Sequence, residues 1–181
     1  MLFGTESLEL EILDKIQQIF KSPFMDFVMP KITFLGNAGM LWIVICLVLL
    51  FSKRYRKTGI TMALSLVTVL VVGLIVIKPL IMRPRPFMLN HGAALLISAP
   101  KDFSFPSGHT LASFTAALVL FDENKAWGTA ALILAALIAF SRLYLYVHFP
   151  TDIAAGIVLA ILIKSVCCRI IKRAEERKIV K

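Results

Sequence analysis

Charge-free apolar runs of membrane-spanning length recur along this chain, and they leave few folds open to it. A hydrocarbon core of about 30 Å takes about 20 residues of α-helix to cross, and inside it every backbone polar group must be satisfied within the segment. Runs at 32–52 and 58–77 meet that length, the first between Lys31 and Lys53 and the second ending at Lys78. A third covers 103–121, between Asp102 and Asp122, and a fourth begins at 126 and continues past Arg142 to 147. The fifth covers 150–168, with Asp152 near its start and Lys164 near its end. Composition agrees: 59% of residues are hydrophobic and 17% charged, against about 45–50% and about 25% in an ordinary soluble domain. A soluble core of this size has no room for that much apolar surface, and a disordered chain is excluded for the same reason. The expected fold is all-α: an integral membrane helical bundle of about five transmembrane helices, a single unit over 1–181 with no linker or internal repeat.

Residues 5–21 follow another pattern. Leu8, Ile12, Leu13, Ile16, Ile19 and Phe20 recur at helical spacing, with Glu6, Glu9, Glu11, Asp14 and Lys15 between them. This is the pattern of an amphipathic helix lying in the membrane interface, with a partner-binding helix as the other reading. The net charge of +9 would suggest nucleic acid in a soluble protein. Here the charges fall between apolar runs, so they set orientation and no nucleic-acid partner is expected. Lys53, Arg54, Arg56 and Lys57 join the first two runs, and Arg169, Lys172, Arg173, Arg177, Lys178 and Lys181 make a basic tail. With five spans these lie on one side, the cytoplasmic one by the positive-inside rule. The acidic N-terminal helix, residues 78–105 and the 142–152 junction then lie outside. The start carries no basic leader. Cys46 sits inside an apolar run and Cys167 and Cys168 are adjacent, which is neither a disulfide framework nor a metal-ligand spacing.

Ionisable groups at membrane depth are costly, and each one raises a functional hypothesis. Lys78, Arg83, Arg85, His109, Arg142, His148 and Asp152 come from three separate segments, yet the topology puts them at one face. In the first segment, 78–86, prolines end the helix and three cations suit an anion, because an arginine fork matches phosphate oxygens. Basic anchoring at the headgroups is the plainer reading. In the second, Pro106-Ser107-Gly108-His109, Ser107 is placed to cap a helix, Gly108 permits close backbone approach, and the first-turn N–H groups suit an anion. His109 would supply a proton there, or be an interfacial histidine on a capped helix. In the third, His148 and Asp152 lie one helical turn apart, so the carboxylate can fix the imidazole tautomer and free the other nitrogen as a nucleophile. A histidine–aspartate pair that merely fastens a helix start is the alternative. A metal held by His109, His148 and Asp152 is disfavoured by repulsion from Lys78, Arg85 and Arg142.

Together these segments resemble the signature of the phosphatidic acid phosphatase type 2, or lipid phosphate phosphatase, superfamily: K-x6-R-P, P-S-G-H and S-R-x5-H-x3-D. Lys78 to Arg85-Pro86, Pro106 to His109, and Ser141-Arg142 through His148 to Asp152 match it in order. The resemblance covers about 32–171 and leaves out the N-terminal helix and Arg83, whose readings are a secondary phosphate contact or a surface anchor. It implies that Lys78, Arg85, Ser107, Gly108 and Arg142 bind phosphate, His148 attacks, Asp152 orients it and His109 is the general acid. It implies neither a cofactor nor a metal. The partner it implies is a membrane lipid whose body stays in the bilayer. The chain is similar to compact bacterial members, so the expected activity is hydrolysis of undecaprenyl diphosphate to the monophosphate in the cell membrane, with the site on the extracytoplasmic face. Phosphatidylglycerophosphate and phosphatidic acid are rival substrates. A lipid phosphotransferase and a non-catalytic lipid-phosphate binding or transport protein are rival functions. The charge-free stretch 87–100 leaves a re-entrant element open.

Overall fold

The computed structural model describes residues 6–90, 92 and 94–179. Residues 1–5, positions 91 and 93 of the 87–100 stretch, and Lys181 of the basic tail lie outside the described residues. The described residues are all-helical, and the chain is an integral membrane bundle. α1 spans Glu6–Phe20 and α2 Pro23–Leu35; α2 starts at Ser22, whose hydroxyl accepts from Met25 N at 3.3 Å, with Pro23 in the first turn. α3 is Met40–Phe51 and α4 Arg56–Thr68. α4 continues without a break through a π-helical stretch, Val69–Ile77, into α5, Lys78–Ile81. The short α6 is Pro86–Leu89, and α7, α8 and α9 are Gly108–Glu123, Lys125–Tyr144 and Pro150–Ile179.

Three stretches are long and apolar enough to cross a membrane: Arg56–Leu89, Lys125–Tyr144 and Pro150–Arg177. α2 and α3 together make a fourth, bent by 41°. The sequence suggests one run over 32–52; the structure has two helices there, because Gly36-Asn37-Ala38-Gly39 breaks the ladder. Ala38 and Gly39 sit at φ 50° and 66°, a region glycine enters freely and alanine only under strain. Hydropathy does not register this break, since none of the four residues is charged. α7 starts at Gly108, not 103, because Ser107 caps it, and residues 103–107 run as a loop before its N-terminus. Beyond the α6 turn, the described part of 87–100 is irregular.

α7 is the central helix. α8, α9, α4 and the π stretch all pack on it. Ser113, Thr115, Ala116 and Ala117 of α7 and Ala131, Ala135 and Ala139 of α8 are buried, and side chains this small let helix backbones approach closely in a membrane. The α7–α8 corner shows it best: a Cβ on Gly128 would lie 2.1 Å from Phe121 Cα. Trp42 Nε1 ties α3 to this centre, donating to Ser113 Oγ at 2.9 Å. The outer faces carry an apolar belt, including Val48, Phe51, Ile75, Ile133, Leu162 and Val166, as lipid contact requires.

The N-terminal helix divides its residues in an unexpected way. Leu8, Ile12 and Ile19 are exposed, whereas Glu9 and Leu13 are buried. Leu13 packs with Tyr146 and Phe149 of the α8–α9 turn. Gln17 donates to the Tyr144 carbonyl, and the Tyr146 hydroxyl donates to Asp14 Oδ1 at 2.8 Å.

Candidate active site

The C-terminal ends of α5 and α8 and the N-terminal ends of α7 and α9 meet around one cavity of about 950 Å³. Lys78, Arg85, Gly108, His109, Arg142 and His148 line its polar end, together with Asp102. The cavity continues as an apolar groove between α3 on one side and α4 with its π-helical continuation on the other, past Leu47, Leu50, Leu66, Val67, Leu70 and Leu74. Ser107 and Asp152 stand behind the lining, both fully buried.

Backbone turns deliver these residues. Met82 leaves α5 at φ 49°, so the chain doubles back and brings Arg83 and Arg85 under the helix end. Tyr146 is at φ 60°, two residues before His148. Such a conformation costs a β-carbon-bearing residue about 1–3 kcal/mol and persists only where the surroundings hold it. Here the Tyr146 hydroxyl is held between Asp14 and Asn90, whose Nδ2 donates to it at 3.0 Å. At α7, Ser107 Oγ accepts from Thr110 N at 3.4 Å and from Thr110 Oγ1 at 3.0 Å, while Ser107 N donates to the Asp152 carbonyl at 3.2 Å. The capping position read from the sequence is therefore also the joint between α7 and α9.

His148 is 1% exposed. Arg85 Nη1 lies 3.2 Å from its Nε2. Guanidinium groups only donate, so Nε2 accepts and Nδ1 carries the proton. Nδ1 faces Asp152 Oδ2 at 3.3 Å. The same carboxylate oxygen accepts from Phe149 N at 2.8 Å and from the Ser104 hydroxyl. Burial, then the positive charges of Arg85, Arg142, Lys78 and His109, push the His148 pKa well below its ordinary value. The result is a neutral imidazole with one tautomer and its lone pair at the cation-lined end of the cavity.

Of the three lining cations, two share a carboxylate and the third does not. Arg142 Nη1 donates to Thr33 Oγ1 at 2.6 Å, and its Nε has no hydrogen-bond partner among the described residues. Lys78 Nζ pairs with Asp102 Oδ2 and donates to the Phe103 carbonyl at 2.7 Å. Arg85 Nη2 pairs with Asp102 Oδ1 at 2.6 Å, while its Nε and Nη1 donate to the carbonyls of Asp102 and Val147. Burial would raise the Asp102 carboxyl, but Lys78 and Arg85 outweigh it and hold it well below the usual carboxylate range. His109 Nε2 donates to Asn37 Oδ1 at 3.0 Å, across the bend between α2 and α3. Among the described residues, no three His, Cys, Asp or Glu side chains gather as a metal-ligand set.

The sequence reading missed several partners. Arg83 is neither a cavity residue nor a surface anchor. It is fully buried, donates to Asp152 Oδ1 and Thr151 Oγ1 at 2.7 Å, pairs with Glu9, and lies over the Phe149 ring at 3.9 Å. Asp102 served only to mark the edge of an apolar run. Asn37 and Thr33 carry no signal in a motif-free neighbourhood, and Ser104 lies two residues outside the Pro106 to His109 motif. Glu9 did leave one: it lies four and seven residues before Leu13 and Ile16, which puts a carboxylate on an inward face of its helix.

Residues 57–176 match the sequence pattern of the PAP2 superfamily. The chain is 39% identical over 126 residues to an undecaprenyl-diphosphatase of Sulfolobus acidocaldarius, an alignment covering 68% of this chain and 61% of that protein. It is thus matched to about three-fifths of that relative's length. Phosphatidylglycerophosphatase B of Bacillus subtilis is 32% identical over 171 residues, covering 84% of this chain and 78% of that one. Among solved structures, LpxE of Aquifex aeolicus superposes with a TM-score of 0.77 at 29% identity, covering 90% of this chain and 95% of that one.

Proposed function

This chain belongs to the PAP2 superfamily, and we propose that it is a membrane lipid phosphatase that takes a phosphoryl group from a lipid diphosphate onto His148 and hands it to water. The observation that carries this reading is the cavity. Its polar end sets three buried cations, Lys78, Arg85 and Arg142, against the single carboxylate of Asp102, an excess of positive charge that invites an anion. Its other end is an apolar groove that suits a hydrocarbon tail. A phosphate with a lipid tail satisfies both.

The chemistry follows from the proton positions. His148 Nε2 attacks phosphorus in line, and Arg85 transfers its donation from the imidazole to a phosphate oxygen. As the N–P bond forms, the P–O bond to the lipid side breaks, and His109, entering the step as the imidazolium, gives one proton to the departing oxygen and becomes neutral. Asp152 stabilises the positive charge that develops on the His148 ring. Water then attacks phosphorus, the N–P bond breaks, and the water proton passes to His109. Lys78, Arg85, Arg142 and the N–H groups at Gly108 stabilise the equatorial oxygens throughout. No step calls for a metal.

The first-choice substrate is undecaprenyl diphosphate, the diphosphate named by the Sulfolobus relative. Phosphatidylglycerophosphate is the second reading, favoured by the Bacillus relative. The site faces outward and the basic tail inward, on the loop charges. The test is phosphate release by the purified protein in detergent, on undecaprenyl diphosphate and phosphatidylglycerophosphate, with and without EDTA and beside His148→Ala. Turnover is expected to survive EDTA, to be lost in the variant and to favour the diphosphate. Activity abolished by EDTA sinks the metal-free route. A product carrying the phosphoryl group on an acceptor alcohol sinks hydrolysis.

A further inference from the structure

Asp152 is held from behind by Arg83, and Arg83 in turn by a second carboxylate, Glu9, that the sequence motifs do not include. Arg83 Nη1 donates to Asp152 Oδ1 at 2.7 Å, and Arg83 Nη2 pairs with Glu9 of α1. Glu9 Oε1 accepts from Thr151 N at 2.9 Å and from Thr151 Oγ1 at 2.7 Å. Arg83 also donates to Thr151 Oγ1 at 2.7 Å. The backbone joins in, since the Arg83 carbonyl accepts from Ser104 N at 2.9 Å, and the Ser104 hydroxyl donates to Asp152. Both oxygens of Asp152 are thereby fixed, one by Arg83 and the other by Ser104, Phe149 N and His148. Glu9, Arg83 and Asp152 are 4%, 0% and 0% exposed. A guanidinium buried this deeply needs matched carboxylates, and it has one on each side.

We propose that Glu9 and Arg83 are positioning residues of the reaction: through Asp152 they hold the His148 ring in one tautomer and one orientation, so α1 is a working part of the site. This rests on the phosphatase reading for its kinetics, but not for its spectroscopy. Neither residue lines the cavity, so their effect falls on the chemical step and not on lipid binding. Burial would raise the Glu9 carboxyl, but hydrogen bonds from Thr151 and the contact with Arg83 hold it below its ordinary value, so it stays a carboxylate at neutral pH. Supporting partners of this kind are typically worth about 10–100-fold in activity.

The experiment pairs kinetics with nitrogen NMR of histidine-labelled protein in micelles. Glu9→Gln removes the charge and keeps the shape, and Arg83→Lys is the second variant in case the first does not fold. Gln17→Ala cuts a different α1 contact, to the Tyr144 carbonyl, and serves as the control. The expected result is a kcat lowered about tenfold with KM within twofold, and a His148 signal changed from one Nδ1–H tautomer to a mixture. Gln17→Ala keeps both at wild-type values. An unchanged tautomer and kcat in the folded variants overturns the proposal, as does an equal loss in Gln17→Ala. If the wild type releases no phosphate from any lipid, the phosphatase reading fails and the tautomer decides alone. A mixture in Glu9→Gln then supports the positioning role, and a single tautomer refutes it.

Discussion

Asp102→Asn separates two accounts of the phosphate site. In the structure the Asp102 carboxylate bridges Lys78 and Arg85, with one oxygen on each. These are the cations proposed to hold the substrate phosphate, so carboxylate and phosphate compete for them. The cations are nearly buried, at 6% and 2% side-chain exposure, but the carboxylate is 57% exposed. That exposure decides the scale. A fully buried pair would cost several kcal/mol to break, whereas pairs reaching water are worth about 0–1 kcal/mol. Taking about 1 kcal/mol for the bridge, its removal tightens phosphate binding about fivefold. The assay is competitive inhibition of lipid turnover by inorganic phosphate, wild type beside Asp102→Asn, at fixed ionic strength. Inhibition that is unchanged or weaker in the variant refutes the competition and makes Asp102 a scaffold for the cations instead. Stability gives a second check with a definite sign. The carboxyl titrates lower in the folded protein than in the unfolded chain, so its stabilisation is present above about pH 3.9 and fades as pH falls below that. The Tm deficit of Asp102→Asn should therefore be full at pH 7 and shrink below about pH 4.

Arg142→Gln keeps much of the side-chain shape but removes the guanidinium whose Nε has no partner among the described residues; loss of a charge-assisted contact to phosphate predicts kcat/KM down about 10–100-fold, measured on one lipid substrate. Leu70→Trp narrows the apolar groove, so KM should rise for long-chain lipid phosphates and stay level for a water-soluble phosphate ester; an equal rise for both would show that the groove is not the tail's path. His148 has a folded pKa below its unfolded one, so its contribution to stability is complete above about pH 6.5 and declines as pH falls below that. The acid limb of kcat/KM assigned to the nucleophile should likewise lie below about pH 6.5.

The membrane class and the site motifs were legible because both are local. Apolar runs report their own solvent, and the four-residue spacing of His148 and Asp152 keeps them close, His148 in the turn just before α9 and Asp152 in its first turn. Ser107 was readable as a cap for the same reason: its partner, Thr110, is three residues away. The bend at 36–39 was hidden because hydropathy averages over glycine and asparagine. Helix limits moved at α7 because capping, not apolarity, sets where a helix begins.

What the sequence determined by itself, then, was the solvent of this chain and the residue types that line its cavity, both carried by near neighbours along the backbone. Only the tertiary structure decided which charges meet. Glu9 reaches Arg83 across 74 residues, Thr33 reaches Arg142 across 109, and Asp102 takes two cations from α5 and the turn after it. Buried charges must find partners wherever packing brings them. That pairing depends on how α1, α2 and the loop before α7 close over the helix ends, which no local pattern encodes.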